Sequence, residues 1–232
     1  MISRLRKLGI VIAIFGLAFV AAGGYAFMKV QEGQRSLNAF SAAQNVTLSY
    51  NDQGVLVDRG APEGAQAIMS LLVNDWGYPV QTSELNPNDP VVNTASEYMF
   101  QMATVSYHTL HGVQTVVLDA DVTAADGTIY KAGTYEFAVD GRYWAAFDRS
   151  NPIEAKAREQ AWTGTAHALI AELGVGTATA STLQMGLGLA GLFAGVGFMF
   201  FLSGIGLAWA ARPETVKVKA AVPVLRHAPT PA

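Results

Sequence analysis

The chain has 232 residues, 51% of them hydrophobic and 14% charged, with a formal net charge of −3 and no cysteine. That composition excludes an ordinary water-soluble protein, a disulfide framework, a thiol nucleophile and a thiolate metal site. Two uncharged runs account for it, residues 8–28 (LGIVIAIFGLAFVAAGGYAFM) and residues 183–211 (LQMGLGLAGLFAGVGFMFFLSGIGLAWAA). About 20 apolar residues cross a bilayer, so both are long enough. As a helix the second measures roughly 43 Å against a hydrocarbon core of ~30 Å, so it is expected to tilt or to project into the domain beside it. Neither run carries the polar stripe of a core helix.

The flanks of these runs set an orientation. Arg4, Arg6 and Lys7 precede the first span with no acid among them, and Arg212, Lys217, Lys219 and Arg226 follow the second against Glu214 alone. Residues 29–182 hold 8 basic and 17 acidic residues, a net charge of −9. Short cytoplasmic flanks collect Lys and Arg, so both termini are expected in the cytoplasm and the middle segment outside the plasma membrane. An acidic exported segment argues against a nucleic-acid partner, which needs a basic footprint. A cleaved signal peptide ending near Gly24-Tyr25-Ala26 is the rival reading of the first run. Its apolar stretch exceeds the usual 7 to 15 residues of such a peptide, which favours an uncleaved signal anchor.

Five regions follow: a cytoplasmic start (1–7), a first span (8–28), an exported α+β domain (29–182), a second span (183–211) and a proline-bearing cytoplasmic tail expected to be disordered (212–232). In the domain, KVQEGQRSLNAFSAAQNV reads as a helical stalk continuing the first span. VTLSYNDQGVLV reads as a hairpin, with Asn51-Asp52-Gln53-Gly54 as its turn. APEGAQAIMSLLVNDW is a short helix opening on Pro62, and NPNDP (86–90) a rigid turn. NTASEYMFQMATVSYHTLHG is the strongest helix of the domain, with Thr94 and Glu97 placed for a capping box and Gly112 as its stop. A small antiparallel β-meander of three strands comes next, VQTVVLDADV, TIYKAGTYEFAV and RYWAAF, separated by Asp126-Gly127 and Asp140-Gly141. Tyr135, Phe137 and Val139 mark its buried face. NPIEAKAREQAWTGTAHALIAEL is a helix capped by Asn151, and a Gly/Thr/Ala stretch (174–182) leads into the second span.

The stretches SLNAFSAAQNV, VNTASEYMFQMATVSYHTLHGVQTV, AGTYEFAVDGRYW and REQAWTGTAHALIAELGVGT, set between two spans, resemble two-span envelope proteins of actinobacteria. Proteins of that kind sometimes carry the label of aromatic ring-opening dioxygenase. The resemblance therefore implies a membrane-held envelope domain, and the label implies an iron site of two histidines and a carboxylate.

Few motifs offer chemistry. Gly186, Gly188 and Gly191 match G-x-G-x-x-G, but the motif works only between a strand and a helix, and here it lies inside a span. Gly9, Ala13, Gly16 and Gly23, and the pair Gly191 and Gly195, are small-residue stripes suited to close helix packing, within one chain or between protomers. Simple abundance of glycine in membrane helices explains them equally well. Asp119, Asp121 and Asp126 depart from a calcium loop at the third ligand position and fit a solvated hairpin turn better. Arg142, Tyr143 and Trp144 follow a turn, where they offer a ligand or partner contact, although core packing is the commoner fate of such aromatics.

His108 and His111 sit one helical turn apart and have the spacing to chelate an ion. Glu97 lies about 16 Å away along the axis and cannot share it. A third ligand must come from elsewhere, His167, Asp119 and Asp121 being the nearest guesses. A wet polar stripe of Glu97, Gln101, Thr104, His108 and His111, with Glu97 engaged in the cap, accounts for both histidines more simply. No catalytic residue or cofactor site is assigned. The leading expectation is a non-enzymatic accessory or scaffold subunit of the cell envelope, packed on itself or on another integral membrane protein. A ligand-binding or sensing domain that uses the meander aromatics is the second, and a metal-dependent enzyme at His108 and His111 the third.

Overall fold

A computed structural model describes residues 2–212. The expected disordered tail lies outside the described residues from position 213 onward. The chain is α-rich with small antiparallel β pairings. Its helices are α1 (Ile2–Gln44), α2 (Pro62–Ser70), α3 (Ala95–Leu110), α4 (Pro152–Ala161) and α5 (Gly164–Ala210), and its strands are β1 (Ser49–Tyr50), β2 (Leu56–Val57), β3 (Val113–Leu118), β4 (Val122–Thr123), β5 (Ile129–Tyr130) and β6 (Gly133–Ala138). The described residues divide into two compact units, one formed by the residues up to 25 together with those from 189 on, the other by residues 26–188.

The first unit contains the apolar ends of α1 and α5, the two helices long and apolar enough to cross a membrane. They run antiparallel in close contact. A methyl built on Gly9 would lie 2.7 Å from both the Ala208 nitrogen and the Gly204 oxygen, and one on Gly23 2.7 Å from the Ala194 nitrogen. Gly16 meets Gly197 and Phe201 in the same way, and Gly204 meets Gly9 and Ala13. On α1 the contacts recur every seven residues, at 9, 16 and 23, and on α5 at 204, 197 and 190. A seven-residue repeat is the period that keeps one seam facing its partner along two helices. Gly191 and Gly195 are not in the seam. Among the described residues, none approaches a methyl built on either, because Ala190, Ala194, Gly197 and Gly204 occupy the face turned to α1.

The second unit is built around α3. Thr94 caps it: its hydroxyl accepts from the Glu97 N–H while the Glu97 side chain accepts from the Thr94 N–H, a closed capping box. The stripe expected to be wet is not wet at this end, since Glu97 is 1% exposed and Ala95, Ser96, Tyr98, Phe100, Ala103, Ser106 and Leu110 are buried too. The helix is enclosed on most sides: Leu48, Ile68, Leu72 and Val92 pack on it with Leu37 of α1 and Leu173 of α5. The Ser41 and Tyr98 hydroxyls lie 2.8 Å apart in this core.

Two elements differ from the sequence reading. The meander has no third strand: β3 pairs with β6 in antiparallel register, Val113 opposite Ala138 and Leu118 opposite Gly133, while β4 and β5 form a separate two-residue pair around Asp126-Gly127. Asp140 and Gly141 both take positive φ, 50° and 74°, and turn the chain away, so RYWAAF becomes an extended step and a short 3₁₀ turn at Trp144–Ala146. The helix expected over 151–173 breaks at Trp162 and Thr163, and α5 restarts at Gly164 and runs unbroken through the Gly/Thr/Ala stretch. Small residues there permit close packing, since a methyl on Gly176 would lie 2.5 Å from the Tyr98 ring. The hydroxyls of Thr177, Thr179 and Thr182 are bonded to carbonyls one turn back in the same helix.

Candidate functional site

The break at Trp162 and the turn at Asp140-Gly141 create the most distinctive site of the second unit. Released from strand pairing, Tyr143 and Trp144 come to lie against Trp162, at the end of α4, and His167 and Ile170, in the first turns of α5. Trp76, following α2, and Met102 and Ser106 of α3 complete a cleft of about 490 Å³. Its walls are rings: Tyr143 stacks on Trp162 at 5.7 Å, and His167 stands edge-on to Trp144 at 5.1 Å and 5.8 Å from Trp162. Trp162 is buried, while Tyr143 and Trp144 stay open to solvent.

Hydrogen bonds fix these rings. The Trp76 indole N–H donates to the Tyr143 hydroxyl at 2.9 Å, and the Trp162 indole N–H to the Arg142 carbonyl at 3.0 Å. His167 Nδ1 is 3.0 Å from the Thr163 carbonyl and so donates to it. In the tautomer that this bond selects, Nε2, on the far side of the ring, is the acceptor. The Arg158 guanidinium lies 3.7 Å from the centre of the Trp144 ring and pins it from outside the lining set. The lining holds no carboxylate, lysine or arginine.

Of the aromatic segment singled out from the sequence, Tyr143 and Trp144 line the cleft and Arg142 does not. Its guanidinium packs over the Phe137 ring at 5.3 Å and donates to the Ala138 and Val139 carbonyls. Trp76 and Trp162 are not among the residues the sequence points to, and His167 enters there only as a guess at a third metal ligand, a role different from its place in this cleft. Trp162 alone carried a local signal, a large aromatic ahead of Thr-Gly in the middle of a helical pattern, which is where the helix breaks.

The two histidines of α3 part company. His111 Nδ1 donates to the Tyr107 carbonyl at 2.9 Å, and its ring stacks on Tyr107 at 4.1 Å. His108 Nε2 lies 3.0 Å from Asp58 Oδ1, both side chains largely covered. Among the described residues there is no group of three or more His, Asp or Glu that could hold a metal ion. Asp121 is tied to Lys131 at 2.8 Å and to the Ala132 N–H, and the lysine holds its carboxyl below the usual aspartate range. Asp126 accepts from the Thr128 N–H and hydroxyl, bonds that lower its pKa too. The glycines at 186, 188 and 191 lie within α5, with no strand before them to form a dinucleotide turn.

Burial raises the pKa of Glu97, although the Asn93 and Thr94 N–H groups and the Thr94 hydroxyl all donate to its Oε2. Its place in the cap marks it as a structural carboxyl.

No protein-family model, curated protein or solved structure matches the chain.

Proposed function

We propose that this is a two-span membrane protein that holds an acidic ligand-binding domain on the outer face of the plasma membrane, and that the ligand occupies the aromatic cleft. The observation that carries this reading is the cleft itself. Sites for small molecules are concave, of about 300–1,000 Å³, and mostly apolar with a few placed polar groups, and about 490 Å³ walled by Trp76, Tyr143, Trp144, Trp162 and His167 meets each condition. The excess of Arg and Lys beside the spans supports the outward placement of the domain. The function is non-enzymatic: recognition, with the spans as anchor.

The test is to purify the full chain in mild detergent, extract it with organic solvent and identify small molecules by mass spectrometry. Ala145 lines the cleft, so Ala145→Trp fills it. A molecule present in the wild type and missing from the filled variant supports the reading. An identical extract from both defeats it.

A second reading, an accessory subunit packed on another membrane helix, is favoured by one observation. Among the described residues, none approaches the face of α5 that Gly188, Gly191 and Gly195 share, and small residues permit close approach of a further helix.

A further inference from the structure

Resting on the cleft as the binding site, we infer that its ligand is a neutral, flat aromatic molecule that carries a hydrogen-bond donor, a hydroxyaryl compound, with the donor directed to His167 Nε2.

Three observations converge on that class. The walls are ring faces and edges held rigid by the Trp76–Tyr143 and Trp162–Arg142 hydrogen bonds and by the Tyr143–Trp162 stack. Rigid rings favour a flat guest, which gains offset or edge-to-face contacts that a flexible chain does not. The lining has no charged side chain to pair with an anion or a cation, and the surrounding segment, at net −9, repels anions. An aromatic cage for a quaternary ammonium is the natural rival. Against it, Tyr143 and Trp162 already stack on each other, Arg158 already lies 3.7 Å from the Trp144 ring, and no carboxylate lines the cleft.

Polarity then comes from the hydrogen-bond inventory. Both indole N–H groups of Trp76 and Trp162 have acceptors within the protein. His167 is different: its Nδ1 proton is committed to the Thr163 carbonyl, so Nε2 is an acceptor, and among the described residues it has no donor. His167 is exposed, so solvent serves Nε2 in the free protein; a guest seated against the ring covers that acceptor and is favoured when it supplies a donor of its own, and disfavoured when it does not. A phenolic or similar hydroxyl on a flat ring does both.

Tryptophan emission reads the cleft directly. Three of the four tryptophans line it, and the fourth, Trp209, is in α5 at the apolar end. The full chain carrying Trp209→Phe, in lipid nanodiscs at neutral pH, is titrated with 2-naphthol, naphthalene and tetramethylammonium. The expected result is saturable quenching by both naphthyl compounds, 2-naphthol binding about fivefold more tightly, the factor one neutral hydrogen bond supplies, and none by tetramethylammonium. His167→Phe keeps a flat ring without the acceptor and should bind the two equally. His167→Gln keeps an acceptor and should retain part of the preference. Equal affinities in the parent chain, a preference that survives His167→Phe, or saturable quenching by tetramethylammonium overturns the inference while leaving the cleft a binding site. If none of the three compounds quenches saturably, the inference fails, and the Ala145→Trp extract decides separately whether the cleft binds anything.

Discussion

His108 Nε2 lies 3.0 Å from Asp58 Oδ1 and joins the last turn of α3 to the tight turn ahead of α2, fifty residues earlier. That turn is closed by mutual backbone bonds between Asp58 and Ala61, with Arg59 and Gly60 both at positive φ, 49° and 83°. The geometry is that of a hairpin-type turn, which explains the glycine. It aims the Asp58 carboxylate at α3. The two histidines that the sequence sets one turn apart, His108 and His111, are therefore not equivalent.

Substitution should separate them. His111→Gln removes an exposed ring and should cost within about 0.5 kcal/mol, as surface changes usually do. His108→Gln loses the bond to a largely covered carboxylate and should cost about 1–2 kcal/mol, with Asp58→Ala similar and the double variant less than the sum. Thermal melts of the four proteins supply the cycle. Additive costs would show that the pair contributes nothing. Metal content of untagged protein, measured for iron, zinc, manganese and copper, should be unaffected by either change.

The helix seam yields a position-specific contrast. Gly16→Leu or Gly197→Leu forces a side chain into the opposite backbone and should destabilise the helix pair by about 1–3 kcal/mol, the usual range for overpacking. Gly191→Leu, facing open space, should leave it unchanged. Crosslinking between cysteines that replace Phe19 and Phe193, whose rings face each other across the two helices at 5.8 Å, reports the contact. Equal loss from all three substitutions would mean that the seam lies elsewhere.

Glu97 imposes a pH dependence with a definite sign. Burial raises its pKa in the folded state above its ordinary value of 4.5, so its contribution to stability is full below about that pH and falls as pH rises through the folded value. Glu97→Gln keeps an oxygen for the three donors and removes the ionisation. The variant should thus gain on the wild type as pH rises from about 4 to 7. Asp121, Asp126 and Asp148, whose pKa values are lowered, act in the opposite direction but equally in both proteins, so the difference in melting temperature isolates Glu97. A difference that is flat with pH, or that falls, would refute the assignment.

Orientation is testable by fusion. Alkaline phosphatase, active only outside the cytoplasm, should be active when fused near residue 100 and inactive when fused after Arg226. The reverse would overturn the orientation argued from flanking charge. An intact mass lacking about the first 26 residues would show that the first span is cleaved.

The sequence by itself determined whatever depends on neighbours along the chain. Two uncharged runs were long enough to span a bilayer. The Thr94–Glu97 box, the Asn151 cap and Pro62 marked where helices begin, because caps and first turns are satisfied by residues three or four positions apart. The small-residue stripe of α1 was visible as a period, since Gly9, Gly16 and Gly23 lie on one line of one helix. What pressed against that stripe was not. G-x-x-x-G drew attention to Gly191 and Gly195, and the helix rotation that tertiary packing selects brought Ala190, Ala194, Gly197 and Gly204 to the seam instead. The same holds for the meander and the cleft. A run of aromatics after Asp-Gly reads as a strand until two consecutive positive φ values turn it aside, and only then do Tyr143 and Trp144 meet Trp76, Trp162 and His167 from three other parts of the chain. Local periodicity records which face of an element is apolar. It does not record which distant element that face will meet, because that choice is made by three-dimensional packing among many apolar faces of similar hydrophobic gain.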